Sequence, residues 1–199
     1  MEATIFRVAR SAGSTAFTAR VTIGLLGDIV AGAMLATSAG IVRGAMHIVT
    51  HAFGKITLFF CAGAVLVTAH KSKISELNGI GRRMPWTMGA FAIGALSMIG
   101  VPPAAGFISK WYMLMGAFEA EQIAAILVII ISTLLNAAYF IPIIYAAFFR
   151  AEDPDDKLAN HGEAPLPIVL ALSTTALFTI LIFFFPDIPL SLVQQMVGY

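Results

Sequence analysis

Three titratable side chains recur at every fourth position within one apolar stretch of the sequence. His47, His51 and Lys55 lie in Gly44–Ala69, and this spacing places all three along one face of an α-helix. Histidine exchanges protons near neutral pH, so a stripe of such groups with water between them is suited to relaying protons. A zinc site is disfavoured because no glutamate follows His47 and no carboxylate lies nearby in the sequence.

Lys110 is the second candidate. It follows Gly100–Pro103, where two prolines lack the backbone N–H groups that a continuing helix needs. The next segment, Ala104–Phe118, covers roughly 22 Å as a helix, so it forms a tilted short span, a half-helix or the second part of an interrupted helix. A lysine beside such a break can exchange its proton and act as a switchable charge. Extension of Lys110 towards lipid headgroups explains its spacing as well.

The remaining polar groups offer little other chemistry. Asp28, near the middle of Val21–Val42, is a candidate charge partner for one of these cations. The single cysteine, Cys61, cannot form an internal disulfide, and two histidines on one helix face cannot ligate a haem iron from opposite sides. Without a nucleotide-binding loop or a cysteine cluster, we expect no catalytic residue, no metal and no cofactor. The small polar residues that could line a hydrated path or bond to a neighbouring helix are Ser97, Ser132, Thr133, Asn136 and Tyr139.

The composition requires a lipid environment around these side chains. Of the 199 residues, 59% are hydrophobic and 12% are charged, where a soluble domain has roughly 25% charged residues. Such a chain has too little polar surface to cover a soluble sphere. A net charge of +1 gives no field that attracts nucleic acid. We therefore expect an integral membrane protein that contacts the lipid bilayer.

The positions of the charges divide the chain into transmembrane spans. About twenty apolar residues cross the hydrocarbon core as a helix. The stretches that are free or nearly free of charge are Val21–Val42, Gly44–Ala69, Met84–Ser109, Gln122–Phe149 and Ala164–Pro186. These predict an all-α, polytopic membrane protein with about six transmembrane helices, one of them interrupted. The number of crossings is five or six, depending on Ala104–Phe118.

Basic residues predict an orientation, since cytoplasmic loops carry an excess of lysine and arginine. Residues 1–20 are therefore expected to be a cytoplasmic segment, ahead of a membrane domain over residues 21–199. The loop after the second span is expected on the same side, and the acidic loop Arg150–Glu163 on the opposite side. The basic residues behind this prediction are Arg7, Arg10, Arg20, Lys71, Lys73, Arg82 and Arg83. Arg43, in a short turn between spans, is expected to be an interfacial anchor.

Three short sequences in one order resemble a known family. They are His47–Phe60, Glu76–Gly81 and Ser97–Lys110, and the likeness runs from about Gly40 to Phe118. Together they resemble the proton-conducting membrane subunits shared by multisubunit Mrp-type cation/proton antiporters and by respiratory complex I, the NADH-quinone oxidoreductase. The D-type antiporter subunit is the most similar of these.

The resemblance implies a site and an incomplete path. Members of that family contain two inverted repeats, each with a half-channel and an interrupted helix, and this chain corresponds to the second repeat with a terminal helix. The family's proton-translocating residues then fall on His47, His51, Lys55 and Lys110. The first repeat, with its Glu–Lys pair, has no counterpart here, so we expect partner membrane subunits that include one supplying it.

The function implied is therefore that of a partial membrane subunit of a monovalent cation/proton antiporter, which provides a proton half-channel. Protons are the expected ions, with sodium as the candidate second ion, and the bacterial inner membrane is the expected location. Two alternatives stay open. One is a fragment of a proton-pumping subunit of an NADH-quinone oxidoreductase, and the other is a structural or assembly fragment that conducts nothing.

Overall fold

The computed structural model describes residues 38–71, 74–151 and 162–197, and these parts of the chain are helical without any strand. Asp28, the segment 1–20 and residues 21–37 of the predicted span Val21–Val42 lie outside the described residues, and residues 38–42 of that span belong to the first described helix. The six α-helices of the described parts are α1 (Ser38–Ala69), α2 (Pro85–Ile99), α3 (Ala105–Glu119), α4 (Ile123–Phe149), α5 (Leu166–Phe184) and α6 (Asp187–Val197). Two 3-10 turns, Ile74–Glu76 and Ile80–Arg82, lie between α1 and α2. The all-α prediction is confirmed.

Three helices are long and apolar enough to cross a membrane: Val42–Ala69 of α1, and all of α4 and α5. They match the predicted spans to within about two residues at each end, which is the usual uncertainty of a helix boundary. Large apolar side chains such as Leu134 and Phe184 are exposed on the outside of the bundle. Such an apolar surface suits a lipid environment, because the backbone N–H and C=O groups of each helix are paired within the helix.

Helices α2 and α3 form one interrupted helix. Gly100 adopts a left-handed conformation with φ of 88°, which ends α2, and α3 begins at Ala105 after the two prolines. The pair runs antiparallel to α1 along its whole length, since Met88 packs with Cys61, Ser109 meets His47 and Glu119 meets Arg43. Of the three alternatives for Ala104–Phe118, the structure has the second part of an interrupted helix.

This arrangement corrects the predicted orientation of the loops. The N–H of Gly79, in the loop after α1, donates to the carbonyl of Ala146 near the end of α4 at 3.0 Å. Glu163, before α5, contacts the start of α2. The loop after α1 and the loop Arg150–Glu163 therefore begin and end at the same end of the bundle. The expectation of opposite sides is wrong because α2 and α3 traverse the bundle once together, not once each.

Glycines allow the close packing around the break. A Cβ atom on Gly94 of α2 would lie 3.2 Å from the carbonyl oxygen of Gly54 of α1, and one on Gly106 would overlap the backbone oxygen of Ser97. Helix α5 packs on α1 through the Thr57–Thr175 hydroxyl contact at 2.9 Å. Helix α6, which the sequence analysis did not predict, also packs against α1.

Candidate functional site

The two histidines lie side by side on α1. Their ring centroids are 5.2 Å apart and the ring planes meet at 66°, as expected for side chains one helical turn apart. His47 is 1% exposed and His51 is 8% exposed. The predicted stripe therefore faces the interior of the bundle at these two positions.

His47 continues the line across to α3. Its Nδ1 lies 3.0 Å from the hydroxyl oxygen of Ser109. That hydroxyl donates to the carbonyl of Gly106 at 3.1 Å, so in this arrangement Nδ1 carries the hydrogen and donates to Ser109. Ser109 was not singled out in the sequence. The available signal was its place beside Lys110 in the motif that carries the resemblance.

Lys110 lies in the second turn of α3, and its side chain reaches back to the break between α2 and α3. It is 7% exposed, and its ammonium donates to the carbonyls of Met98 at 3.3 Å and Ile99 at 3.2 Å. The last carbonyls of a helix have no partner within the helix and form the negative end of its dipole. The interruption therefore supplies the acceptors that hold a buried lysine.

Helix α4 completes the surroundings of Lys110. The hydroxyl of Thr133 accepts from the ammonium at 3.2 Å and donates to the carbonyl of Ile129 at 2.9 Å. The amide of Asn136 donates to the same Met98 carbonyl at 3.3 Å. On α2, the Ser97 hydroxyl accepts from the N–H of Gly106, in the first turn of α3, at 3.1 Å. Three of the small polar candidates thus bond at the break, while Tyr139 packs edge-on against Phe140.

Lys55 stands apart from this group. It is half-buried on α1, one turn beyond His51. Lys110 directly follows Ser109, whose hydroxyl contacts His47. The structure thus brings His47, His51 and Lys110 together and leaves Lys55 at the edge of the group.

Arg43 lies within α1, so the expectation of a short turn between two spans at this position is wrong. Its guanidinium forms an ion pair with Glu119 at 2.9 Å, a contact that the expectation of an interfacial anchor did not include. Within the described ranges, groups of three His, Cys, Asp or Glu side chains able to hold a metal are absent.

A cleft of about 300 Å³ opens between α3 and α4 beside Lys110, with Trp111 and Leu134 in its lining.

The family described as NADH:quinone oxidoreductase/Mrp antiporter, transmembrane, matches residues 17–136. The chain therefore belongs to that family, and it is an integral, multi-pass membrane protein. The match extends beyond both ends of the resemblance seen in the sequence motifs. It includes residues 17–30, which those motifs do not cover.

Two sequence relatives are subunits of NADH-quinone oxidoreductases, and one solved structure with a similar fold is a chain of an Mrp complex. NADH-quinone oxidoreductase subunit N of Desulforudis audaxviator is 37% identical over an alignment of 154 residues, and the match covers 73% of this chain and 31% of that protein. Subunit L of Rickettsia conorii is 34% identical over 126 residues, 63% of this chain and 19% of that protein. A chain of the Mrp complex from Dietzia sp. DQ12-45-1b superposes with a TM-score of 0.77 at 20% identity, covering 92% of this chain and 45% of the other.

The chain spans about a third or less of the length of the curated relatives it matches, and under half of the solved chain. At 20% identity, the superposition establishes the fold. The family and the membrane fold are thus shown.

Proposed function

We propose that this chain is a membrane subunit of a multisubunit monovalent cation/proton antiporter and that it carries a proton half-channel. The observation behind the proposal is a row of contacts in which His51 packs against His47 and His47 contacts Ser109. The next residue, Lys110, bonds to the end of α2 at the helix break. Family membership and the superposition on a chain of an Mrp complex support it.

In this proposal, Lys110 and Lys55 are the switchable charges, and His47 and His51 relay protons between them. A histidine can accept a proton at one ring nitrogen and release it from the other. The ammonium of Lys110 has acceptors on α2 and α4 that favour its charged form. Transfer of a proton from Lys110 towards the histidines would leave a neutral amine with two hydrogens for three acceptors and would remove the charge that strengthens these bonds. The two states therefore differ in energy and the charge can act as a switch. Asp28 remains the proposed charge partner.

The remaining assignments follow from the same proposal. The first repeat is supplied by another membrane subunit of the complex, protons are transported, and sodium is the candidate second ion. The location is the bacterial inner membrane, since the relatives described above come from bacteria. Residues 1–20 form a cytoplasmic segment and residues 21–199 the membrane domain. The loops of Arg82 and Glu163, which share one end of the bundle, then both face the cytoplasm.

The direct test is the substitution of Lys110 by Gln in the complex purified through a tag on this chain and reconstituted in vesicles. Cation-driven proton movement, followed with a pH-sensitive dye, is expected to fall by about a hundredfold, as for loss of a group essential to proton transfer. Lys110→Arg is expected to fail as well, because a guanidinium keeps its proton. Lys71→Gln, at the end of α1, is the matched control. Unchanged transport in both Lys110→Gln and Lys55→Gln would overturn the mechanism.

A second candidate function is supported by a specific observation. The relative that is 37% identical is named NADH-quinone oxidoreductase subunit N, which favours a proton-pumping subunit of such an oxidoreductase. Purification in mild detergent with identification of the co-purifying chains separates the two. Partners that bind flavin or iron–sulfur clusters would favour the oxidoreductase, and membrane subunits alone would favour the antiporter.

The third possibility, a structural or assembly fragment that conducts nothing, predicts a dry helix at Lys110. The test uses Lys110→Cys in a chain whose buried Cys61 is replaced by alanine. It measures how readily a small water-soluble thiol reagent labels the cysteine at position 110. Labelling at position 110 supports a half-channel. A chain that co-purifies with no partner and is not labelled there would support the structural fragment.

A further inference from the structure

A carboxylate from a distant loop occupies the amino-terminal end of α2. Glu163, before α5, accepts a hydrogen bond from the N–H of Trp86 at 2.9 Å and another from the hydroxyl of Thr87 at 2.5 Å. Helix α2 has no such group of its own, since Met84 makes no capping hydrogen bond, Pro85 has no N–H and the first turn has no acid. Glu163 therefore supplies the cap that the helix's own sequence lacks.

The other end of α2 also receives its charge from another segment. The last turn of α2 has no basic residue, and the ammonium of Lys110 bonds to the carbonyls of Met98 and Ile99. A helix dipole favours an anion at its amino end and a cation at its carboxyl end. Helix α2 thus lies between a carboxylate and an ammonium that match its two ends, and neither belongs to it.

The side chain of Lys110 is tightly packed against the end of α2. A Cβ atom on Gly100 would lie 2.7 Å from Cδ of Lys110, so the lysine side chain runs directly against the backbone that ends α2. Gly94 meets the backbone of Gly54 closely, which guides α2 along α1. A helix of this length is a stiff rod of roughly 22 Å, so a change in its position at Trp86 reaches Ile99.

We propose that Glu163 is a positioning residue for Lys110. By holding the first turn of α2 from the loop before α5, it sets where the carbonyls of Met98 and Ile99 meet the ammonium. That Glu163 influences proton transfer through Lys110 rests on the proposed function. That Glu163 positions the carbonyls which hold Lys110 does not.

The opposite end of the interrupted helix provides a matched comparison. Glu119, in the last turn of α3, also has a carboxylate contact, its ion pair with Arg43. Its side chain is 64% exposed, and such surface pairs stabilise a structure little. Glu119→Ala therefore removes the same atoms as Glu163→Ala without disturbing the cap of α2.

The test measures the reactivity of Lys110 in the full chain in its membrane, with a membrane-permeant amine reagent and peptide mass spectrometry. The labelling rate of Lys110 is divided by that of Lys55 in the same sample. Glu163→Ala is expected to raise this ratio by about fivefold, the factor for weakening of one hydrogen bond. Glu163→Gln, which keeps a carbonyl oxygen, and Thr87→Val, which removes one donor, are expected to raise it less. Glu119→Ala is expected to leave it unchanged.

An unchanged ratio in Glu163→Ala would overturn the proposal. This holds whether neither labelling rate changes or the rates at Lys55 and Lys110 rise equally, which indicates general loosening of the bundle. If Glu163→Ala does not accumulate in the membrane, the ratios in Glu163→Gln and Thr87→Val decide by the same criterion. Failure of the transport function would show instead as normal transport by both Lys110→Gln and Lys55→Gln, and it would not alter the labelling ratio.

Discussion

The histidine pair on α1 and the lysine at the helix break are two buried basic sites built in different ways. His47 and His51 sit on a continuous helix, and the contacts between them follow from its repeat. Lys110 is held by backbone carbonyls of α2 and by a hydroxyl of α4, neither of which belongs to its own helix. Ser109 lies between the two sites along the chain of contacts, since its hydroxyl contacts His47 and its next residue on α3 is Lys110.

The two sites differ in how many helices they require. The histidine pair needs only one uninterrupted helix, so it tolerates small movements of its neighbours. The lysine site needs α2, α3 and α4 in register, because its acceptors lie on separate elements. Changes that disturb the break should therefore act strongly on Lys110, and changes at the outer ends of the helices should act weakly.

The largest effect is expected from Gly106→Ala. The new Cβ atom would overlap the backbone oxygen of Ser97, and two backbones cannot move apart as a flexible side chain can. We expect a loss of about 3 kcal/mol in the free energy of unfolding, typical of severe overpacking. Thermal unfolding of the protein in mild detergent measures it. Gly63→Ala on α1, where nothing lies within 4 Å, is the control. Equal midpoints for the two variants would mean that the break is not tightly packed.

An intermediate effect is expected from Ser109→Ala, which cuts the connection between the sites and leaves the bonds of Lys110 in place. His47 loses the partner of its Nδ1, and proton-coupled transport by the reconstituted complex is expected to fall by about tenfold, as for one buried hydrogen bond. Ser191→Ala removes an exposed hydroxyl that bonds within α6 and should transport normally. Normal transport by Ser109→Ala would remove this residue from the proposed path.

The smallest effect is expected at the outer end of α3. Arg43 and Glu119 form an exposed ion pair, and a double-mutant cycle with Arg43→Gln and Glu119→Gln should give a coupling energy of no more than about 1 kcal/mol. The unfolding midpoints of the two single variants and the double variant supply the cycle. A coupling as large as the loss in Gly106→Ala would show that the ends of the interrupted helix hold it as firmly as the break does.

Much of the fold could be predicted from the sequence because lipid imposes a simple constraint. Charged residues are excluded from the hydrocarbon core, so the predicted span Gln122–Phe149 differs from α4 by one residue. The prolines after Gly100 predicted the interruption because they lack the donor that a helix needs. Helix α6 was missed because eleven amphipathic residues do not produce a membrane-span signal.

The loops show where sequence reasoning fails. The acids of Arg150–Glu163 suggested a separate side of the membrane, yet Glu163 caps α2 at the end where Arg82 lies. Which loops share a side depends on whether α2 and α3 cross together or separately, and the proline pair is compatible with both. Packing of α2 and α3 against α1 decides that they cross together, and no local sequence pattern predicts this packing.

The sequence by itself determined the membrane environment, the helical periodicity of His47, His51 and Lys55 and the position of the break before Lys110. These follow from local rules of burial and backbone chemistry, so the order of residues is sufficient. Only the tertiary structure decided that Ser109 meets His47, that the carbonyls of α2 hold Lys110 and that Glu163 caps α2. Those contacts join residues far apart in the chain, and they exist because α2 and α3 lie end to end along α1.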